Sequence, residues 1–334
     1  MFDDGPAGVP DEARGGGRLA LPPLGYQARD ARVVDYGLTR HEASGLWFRG
    51  AVAPSARGDH ITCVGAAQTF GCLCPEPWPD LVGAASGRPV VNLGYGGAGP
   101  RFFLDRPPLI EVMNAGALVV LQVMSGRSES NRLFEAGGLE QVTRRSGGCV
   151  LSADAAYAEI LREHPPRLPS PLGRLGRVAF APRPVRSVVA ETKRVWTRNM
   201  LALIGAIRVP VVLLWFAKRR PWLQTTPKAA WAWQRYDSAG ALLGGFPHLI
   251  GPRALGPVRR AADAYVEAVT ARGSPHPLRD RTDGTPVTID YGHNRPDLAR
   301  RAAADDYYPS PQMHEDAAEA LEPVLTRMLA EGVR

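Results

Sequence analysis

Four segments of the chain are almost continuously hydrophobic, and each of them ends in small or polar residues. They occupy residues 61–64, 89–93, 117–124 and 209–216. A strand that is apolar at every position is buried on both faces, as in a parallel sheet with helices on both sides. The pattern therefore predicts a short parallel sheet, and a fifth strand is predicted near 265–270.

Segments with helical periodicity separate these strands. In the longest of them, Val189, Trp196 and Met200 recur at the spacing of one helix face, with Lys193 and Arg198 on the polar side. Alternating strands and helices predict an α/β fold. Helices are predicted near 78–86, 107–114, 185–207, 253–262 and 312–332, and Pro323 is expected to kink or divide the last one.

The length of 334 residues permits one large domain or two modest ones. Residues 1–24 are rich in Gly, Pro, Asp and Arg, which predicts a disordered tail. We expect residues 25–334 to form a single domain with insertions near 130–184, 218–250 and 272–311. The loop at 165–184 is rich in Pro, Arg and Gly, and both a lid and a plain insertion remain open for it.

The chain carries 40 Lys and Arg residues against 33 Asp and Glu residues, a formal charge of +7. The basic residues are spread along the chain and form no nucleic-acid-binding motif, so we expect no nucleic-acid partner. The amino terminus shows no signal-peptide pattern. The longest strongly apolar run, 209–217, is too short for a membrane span, which needs about 20 residues. These features predict a cytoplasmic protein without a membrane span.

The four cysteines show no spacing that is typical of a metal site, because no Cys-x-x-Cys pair is present. Free thiols are expected, and no metal or cofactor is predicted. Cys72 and Cys74 remain as weak candidates for a reactive thiolate, which would need a nearby base.

Ligands of parallel sheets bind beyond the carboxyl ends of the strands. Four short blocks lie at such positions or before the last helix. They read Gly65-Ala66-Ala67-Gln68-Thr69-Phe70-Gly71, Asn92-Leu93-Gly94-Tyr95-Gly96-Gly97, Gly126-Arg127-Ser128-Glu129 and Pro311-Gln312-Met313-His314.

In order and spacing these blocks resemble those of the SGNH (GDSL-like) hydrolases, which read Gly-Asp-Ser-x-Thr-x-Gly, Asn-x-Gly-x-x-Gly, Gly-x-Asn-Asp and Asp-x-x-His. The resemblance covers about residues 60–330 and implies a flavodoxin-like three-layer sandwich with a short parallel sheet. It implies that Ala67, Gly97, Ser128 and His314 converge at one edge of the sheet. The whole chain also resembles an uncharacterised bacterial family of unknown function.

The chain lacks the side chains on which serine hydrolysis depends in these enzymes. Ala67 occupies the position of the nucleophilic serine, and Ser128 occupies that of the asparagine that binds the oxyanion. Pro311 occupies the position of the aspartate that orients the histidine. A serine nucleophile needs a base, and the base needs an orienting acid. We therefore expect no ordinary serine-esterase activity. Asp305 or Asp306 is an alternative orienting acid, and solvated loop charges are the competing interpretation.

The candidate catalytic residues are His314, as a base or an anion ligand, and Ser128, in the polar cluster after the third strand. The alternatives are a surface histidine near a helix start and a serine that caps a helix. Arginines of the same cluster suit planar anions. The candidate ligand-binding residues are Gln68, Thr69, Gly94, Gly97, Arg127, Asn131 and Arg132. Helix capping by Thr69 and tight turning at the glycines are their structural alternatives.

Two functions remain open from the sequence. One is an atypical SGNH-like enzyme, a transferase or hydrolase acting on an anionic or carbohydrate-like substrate without the usual serine. The other is a catalytically inactive SGNH-like binding or scaffold protein. Both predict a small-molecule or carbohydrate-like ligand, and neither predicts an oligomeric state.

Overall fold

The computed structural model describes residues 26–52, 58–164, 182–223, 239–291 and 301–331, so the predicted tail at 1–24 and most of the loop at 165–184 lie outside the described residues. The strands are β1 Leu38–His41, β2 Leu46–Arg49, β3 Ile61–Gly65, β4 Val90–Gly94, β5 Leu118–Gln122, β6 Phe134–Ala136, β7 Gln141–Arg144, β8 Val150–Ser152, β9 Val211–Ala217, β10 Ala264–Val269, β11 His276–Pro277, β12 Ile289–Asp290, β13 Arg301–Ala302 and β14 Ala304–Asp305. The helices are α1 Tyr26–Asp30, α2 Ala67–Phe70, α3 Trp78–Ser86, α4 Pro100–Leu104, α5 Pro107–Ala115, α6 Ala153–Glu163, α7 Arg183–Ala206, α8 Ala239–Leu243, α9 Pro252–Ala261 and α10 Pro311–Glu331, with a 3₁₀ turn at Gly126–Ser128.

The central sheet has five strands in the order β4-β3-β5-β9-β10. All four pairings are parallel, with Cys63 opposite Asn92 on one side and Val120 on the other. Taken in chain order, the strands are arranged 2-1-3-4-5, which is the flavodoxin-like order. The predicted α/β fold with a short parallel sheet is confirmed.

Successive strand residues pack into two separate cores, one on each face of the sheet. Val64, Leu121 and Leu213 face a core that includes residues of α4, α5, α7 and α9. Cys63 and Val120 face the other core, where α3 and α10 pack. Burial on both faces explains why the strands lack polar alternation, and it gives the predicted three layers.

The predicted bounds of the five strands and of the long helices agree with the structure to within about two residues. Of the two effects expected of Pro323, a kink or a division, the division is wrong, because Pro323 lies inside the continuous α10. Pro323 is exposed, so its ring and the lost hydrogen bond face solvent and not the core.

Smaller elements surround the sheet. β6, β7 and β8 form an antiparallel sheet that leads into α6, within the region of the first predicted insertion. Two short antiparallel pairs, β11 with β14 and β12 with β13, lie in the region of the last predicted insertion. Within the described part of the chain, no helix combines the length and the apolar character needed to cross a membrane.

Candidate functional site

A cleft of about 400 Å³ lies beyond the carboxyl ends of β3, β4 and β5. The residues that follow each of these strands line it, and β3 and β5 flank the point where the strand order reverses. In flavodoxin-like sheets this point is where ligands bind. The lining combines small, charged and aromatic residues. They include Arg29, Ala67, Gln68, Gly97, Ser125, Arg127, Ser128, Glu140, Asp154, Phe246, Tyr291, Tyr307 and Tyr308.

The first block turns directly from β3 into the short helix α2. The side-chain oxygen Oε1 of Gln122 accepts hydrogen bonds from the Ala66 N–H at 3.0 Å and from Thr69 Oγ1 at 2.7 Å. Ala67 and Gln68 are thereby placed in the cleft wall. Thr69 is completely buried, its hydroxyl donates to Gln122, and it does not line the cleft.

The second block ties β4 to α2. Asn92 donates through Nδ2 to the Thr69 carbonyl at 3.0 Å, and its Oδ1 accepts from the Gly94 N–H at 2.8 Å. A Cβ atom at Gly94 would lie 2.1 Å from the backbone nitrogen of Phe70. Glycine is required here because two backbone segments touch, and Gly94 is not among the residues that line the cleft.

Gly97 and Ser128 do meet in the cleft, as predicted. The Ser128 hydroxyl donates to the Gly97 carbonyl at 2.8 Å, and Gly97 has a positive φ of 76°. This bond joins the loops that follow β4 and β5. Ser125 lies nearby, and its oxygen accepts from the Arg127 N–H at 3.3 Å as the cap of the 3₁₀ turn.

Arg127 lies in the cleft wall and is already neutralised by protein groups. Its guanidinium forms ion pairs with Glu140 and, at 2.9 Å, with Asp154. It also donates to the Tyr307 hydroxyl at 3.0 Å and contacts His248 Nε2 at 3.1 Å. Burial by itself would lower the pKa of Arg127, but the nearby Glu140, Tyr307 and Asp154 more than offset this and raise it. Arg127 is therefore charged and carries no free charge for an anion.

The other two residues of the polar cluster lie elsewhere. Asn131 is buried, donates to Thr192 Oγ1 at 3.2 Å and accepts from the Leu133 and Phe134 N–H groups, which shapes the loop before β6. Arg132 is exposed and reaches Glu191 on α7 at 3.4 Å. Neither of them lines the cleft.

His314 is also absent from the cleft lining. It lies in the first turn of α10, is completely buried, and packs edge-on against Phe216. Its Nδ1 accepts the Trp78 N–H at 3.1 Å, so the imidazole caps the first turn of α3. Burial, with smaller contributions from Arg49 and His276, lowers the pKa of His314 to about 3. Ala67, Gly97 and Ser128 thus meet in the cleft lining. His314 does not line the cleft, although it packs against Phe216 near the carboxyl end of β9.

The alternative orienting acid Asp305 has a structural role as well. It is buried, and its carboxylate accepts from the Tyr291 hydroxyl and from the N–H groups of Tyr307 and Tyr308. The three tyrosines are held at the cleft wall by this single carboxylate.

Two cleft residues keep a buried polar atom without a hydrogen-bond partner among the described residues. The two atoms are the acceptor Oε1 of Gln68 and the donor Nη2 of Arg29. Arg29 is held from its other side, because Nε donates to Asp30 at 2.6 Å. Buried atoms without a partner also occur elsewhere among the described residues, for example in Trp78, Gln122 and His314. The location of Gln68 and Arg29 at the cleft is what makes a ligand a candidate partner for their two atoms.

Several lining residues were not predicted as ligand contacts from the sequence. Arg29, Glu140, Asp154, Phe246 and Tyr291 come from segments far from the four blocks, and no local pattern distinguishes them. Tyr307 and Tyr308 follow the two carboxylates that the sequence offered as orienting acids, Asp305 and Asp306. The lining contains two cations, Arg29 and Arg127, and two carboxylates, Glu140 and Asp154.

The cysteines offer no alternative nucleophile at the cleft. Cys63, Cys72 and Cys74 are buried, and burial raises the pKa of each thiol, to about 12 for Cys74. Cys149 is exposed and does not line the cleft. Among the described residues, no three His, Cys, Asp or Glu side chains come together as a metal site.

The fold and the cleft define a flavodoxin-like α/β protein with a cleft at the carboxyl ends of its strands. The sequence matches the family described as "Domain of unknown function (DUF6473)" over residues 24–137 and 172–329. The chain belongs to this family.

Solved structures with a similar arrangement include esterases. A lipolytic protein of the G-D-S-L family from Desulfitobacterium hafniense is 11% identical with a TM-score of 0.35, covering 80% of this chain and 100% of that one. A catalytic mutant of an acetylxylan esterase from Geobacillus stearothermophilus is 13% identical with a TM-score of 0.34, covering 82% and 95%. A carbohydrate esterase of family 2 from Corynascus thermopiles (Myceliophthora fergusii) is 12% identical with a TM-score of 0.33, covering 86% and 70%. At these scores the fold assignment depends on the strand order and not on the similarity. No curated protein matches the chain.

Proposed function

We propose that the protein binds a neutral, hydroxyl-bearing small molecule of carbohydrate-like chemistry in this cleft, without serine-based hydrolysis. The observation that carries the proposal is the pair of unsatisfied atoms in the cleft wall, the acceptor of Gln68 and the donor of Arg29. A hydroxyl group both donates and accepts, so a ligand with several hydroxyls satisfies both atoms.

Both atoms are buried in this structure, so contact with a ligand requires each side chain to change its rotamer. Rotamer changes of interface side chains are common on binding. The rings of Phe246, Tyr291, Tyr307 and Tyr308 supply apolar surface around the polar pair, which is the usual composition of a small-molecule site.

The charge balance of the lining favours a neutral ligand over an anionic one. Arg127 is paired with two carboxylates, and Arg29 is paired with Asp30. An anion would therefore compete with carboxylates that are already in place. Of the anionic and carbohydrate-like ligands that the sequence left open, the lining therefore supports the carbohydrate-like one.

Inactivity as a serine hydrolase follows from the groups that surround the cleft. Ala67 has no nucleophilic atom, and the Ser128 hydroxyl donates to a carbonyl and not to a base. His314 is buried as a neutral helix cap. A misplacement of about 1 Å already costs on the order of 100-fold in rate, so no remaining serine replaces the missing one without a new arrangement.

The experiment is a native mass-spectrometry screen of neutral oligosaccharides against the wild type and Gln68→Met. Methionine keeps the length of the side chain and removes the unsatisfied acceptor. We expect the variant to lose binding while its free energy of unfolding stays equal or rises by about 1 kcal/mol, because a buried unpaired acceptor is costly. Loss of binding together with gained stability cannot come from misfolding. Unchanged binding by Gln68→Met, or no sugar bound by the wild type, would contradict the proposal.

A further inference from the structure

A second and larger groove, of about 1040 Å³, lies along α7 outside the cleft. One wall is a stripe of α7, and the other is formed by Leu242 of α8 and the first turn of α9. The α7 residues of the stripe recur every three or four positions from Arg186 to Leu201, which places them on one face over about 22 Å of helix. The groove is therefore long and continuous.

The charged residues of the groove are all basic. They are Arg186, Lys193, Arg194, Arg198 and Arg253, and the lining contains no acidic residue. None of the five forms an ion pair with another described residue, although Arg127, Arg132 and Arg272 elsewhere in the chain are all paired. Burial, together with the nearby Arg219, lowers the pKa of Lys193, as expected for a cation without a compensating anion.

Apolar side chains lie between these cations. Val189, Leu201 and Leu242 line the same groove. Leu201 is one of the few large apolar residues that the described surface exposes, at 36%. The groove thus combines an apolar lining with five cations that form no ion pair with the described residues, four of them exposed to solvent. A complementary occupant has both an apolar part and negative charge.

We propose that this groove binds an anionic amphiphile, a long hydrocarbon chain that ends in a phosphate. The hydrocarbon would cover the apolar lining, and the phosphate would be bound by the arginines and Lys193, for which a doubly charged oxyanion is a good match. A nucleic acid leaves the apolar lining without a partner, and a neutral lipid leaves the cations without one. At about 1040 Å³ the groove is slightly larger than the usual range for small-molecule sites, about 300 to 1,000 Å³. This proposal is independent of the ligand of the cleft.

The first experiment is titration calorimetry of the full chain with dodecyl phosphate below its micelle concentration. Dodecyl maltoside supplies the same chain with a neutral headgroup, and inorganic phosphate supplies the headgroup alone. We expect saturable binding of one dodecyl phosphate per chain, which weakens with salt because the cations are near the surface. Neither control is expected to bind at the same concentration.

The second experiment locates the site. The double variant Lys193→Gln with Arg198→Gln removes two groove cations, and Arg162→Gln with Arg260→Gln removes two exposed arginines outside the lining. The groove variant should weaken binding about tenfold or more, since a hydrogen bond to a charged group contributes about 1.5–3 kcal/mol. The control variant should bind as the wild type does, and thermal melts should show both variants folded.

Three results would overturn the proposal. One is the absence of saturable dodecyl phosphate binding. This holds also if the protein sediments with anionic phospholipid vesicles in a separate assay, because that result would indicate a membrane surface and not a single amphiphile as the partner. Another is equal binding of dodecyl maltoside. The third is an equal loss of affinity in the groove and control variants.

Discussion

Glu129 gives the sharpest prediction about stability, because it follows the cleft residue Ser128 and is almost completely buried. Its Oε2 accepts from Asn199 Nδ2 at 2.7 Å. Burial raises the pKa of its carboxyl from 4.5 to about 7, although the hydrogen bond from Asn199 acts in the opposite direction. The folded protein therefore holds the proton more tightly than the unfolded chain does.

The sign of the pH dependence follows from this. A raised pKa contributes stability that is fully present below the unfolded value of 4.5 and is lost as the pH rises through about 7. The change from 4.5 to about 7 corresponds to roughly 3 kcal/mol, at about 1.36 kcal/mol per pH unit. Glu129→Gln is neutral at every pH and resembles the protonated side chain.

We therefore expect the free energy of unfolding of the wild type to fall, relative to that of Glu129→Gln, by about 2–3 kcal/mol as the pH rises from 5 to 8. Urea unfolding of both proteins at both pH values measures this difference. His314 has the opposite pH dependence, because its lowered pKa reduces stability as the pH falls below the ordinary pKa of a histidine. This effect is the same in the wild type and in Glu129→Gln, so it cancels from the comparison. The exposed Glu135→Gln is the matched control, and its effect should be small at both pH values. Parallel stability curves for the wild type and Glu129→Gln would refute the reasoning.

Two further predictions concern packing and the cysteines. Gly94→Ala should destabilise the fold by about 3 kcal/mol or more in urea unfolding, because its Cβ would lie 2.1 Å from the Phe70 nitrogen. Gly137→Ala, with nothing within 4 Å of its Cβ, should change stability by less than about 1 kcal/mol, and equal losses would contradict the assignment of Gly94. Thiol titration with Ellman's reagent should find one reactive thiol, Cys149, in the native protein and four in denaturant, since the other three cysteines are buried. Rapid native labelling of Cys72 or Cys74 would restore them as candidates for chemistry.

The strands and long helices were predictable because burial on two faces leaves a direct mark on the sequence. Four of the five central strands lie in almost continuously apolar segments, whose short length and flanking small or polar residues favour strands over buried helices. The exception is β10, which carries the exposed Glu267. The cleft was predictable in outline for a related reason. The carboxyl ends of neighbouring parallel strands share one edge, so Ala67, Gly97 and Ser128 had to approach one another.

The role of His314 was missed although the sequence contained a signal for it. His314, Ala317, Leu321 and Leu325 are spaced by three, four and four residues, which places the histidine on the buried stripe of α10. The position of the fourth block relative to the helix start therefore decided its environment.

The roles of Gly94 and Arg29 had no such signal. Gly94 is required by Phe70, which is 24 positions away, and only the packing of α2 on β4 reveals this. Arg29 precedes the sheet by more than thirty residues, and its guanidinium lies 5.0 Å from the ring centre of Tyr291 near the other end of the chain. Contacts between segments so distant in sequence follow from the complete fold and not from any local pattern.

Labelling with a fluorophosphonate probe tests the absence of an activated serine at the cleft most directly. The folded protein is incubated with the probe, and its intact mass is compared with that of an active serine esterase treated in the same way. The structure predicts an unmodified mass, because Ala67 has no nucleophile and the Ser128 hydroxyl donates to the Gly97 carbonyl. A single adduct that maps to Ser125 or Ser128, and that disappears when the protein is unfolded before labelling, would contradict the account and return the protein to the serine hydrolases.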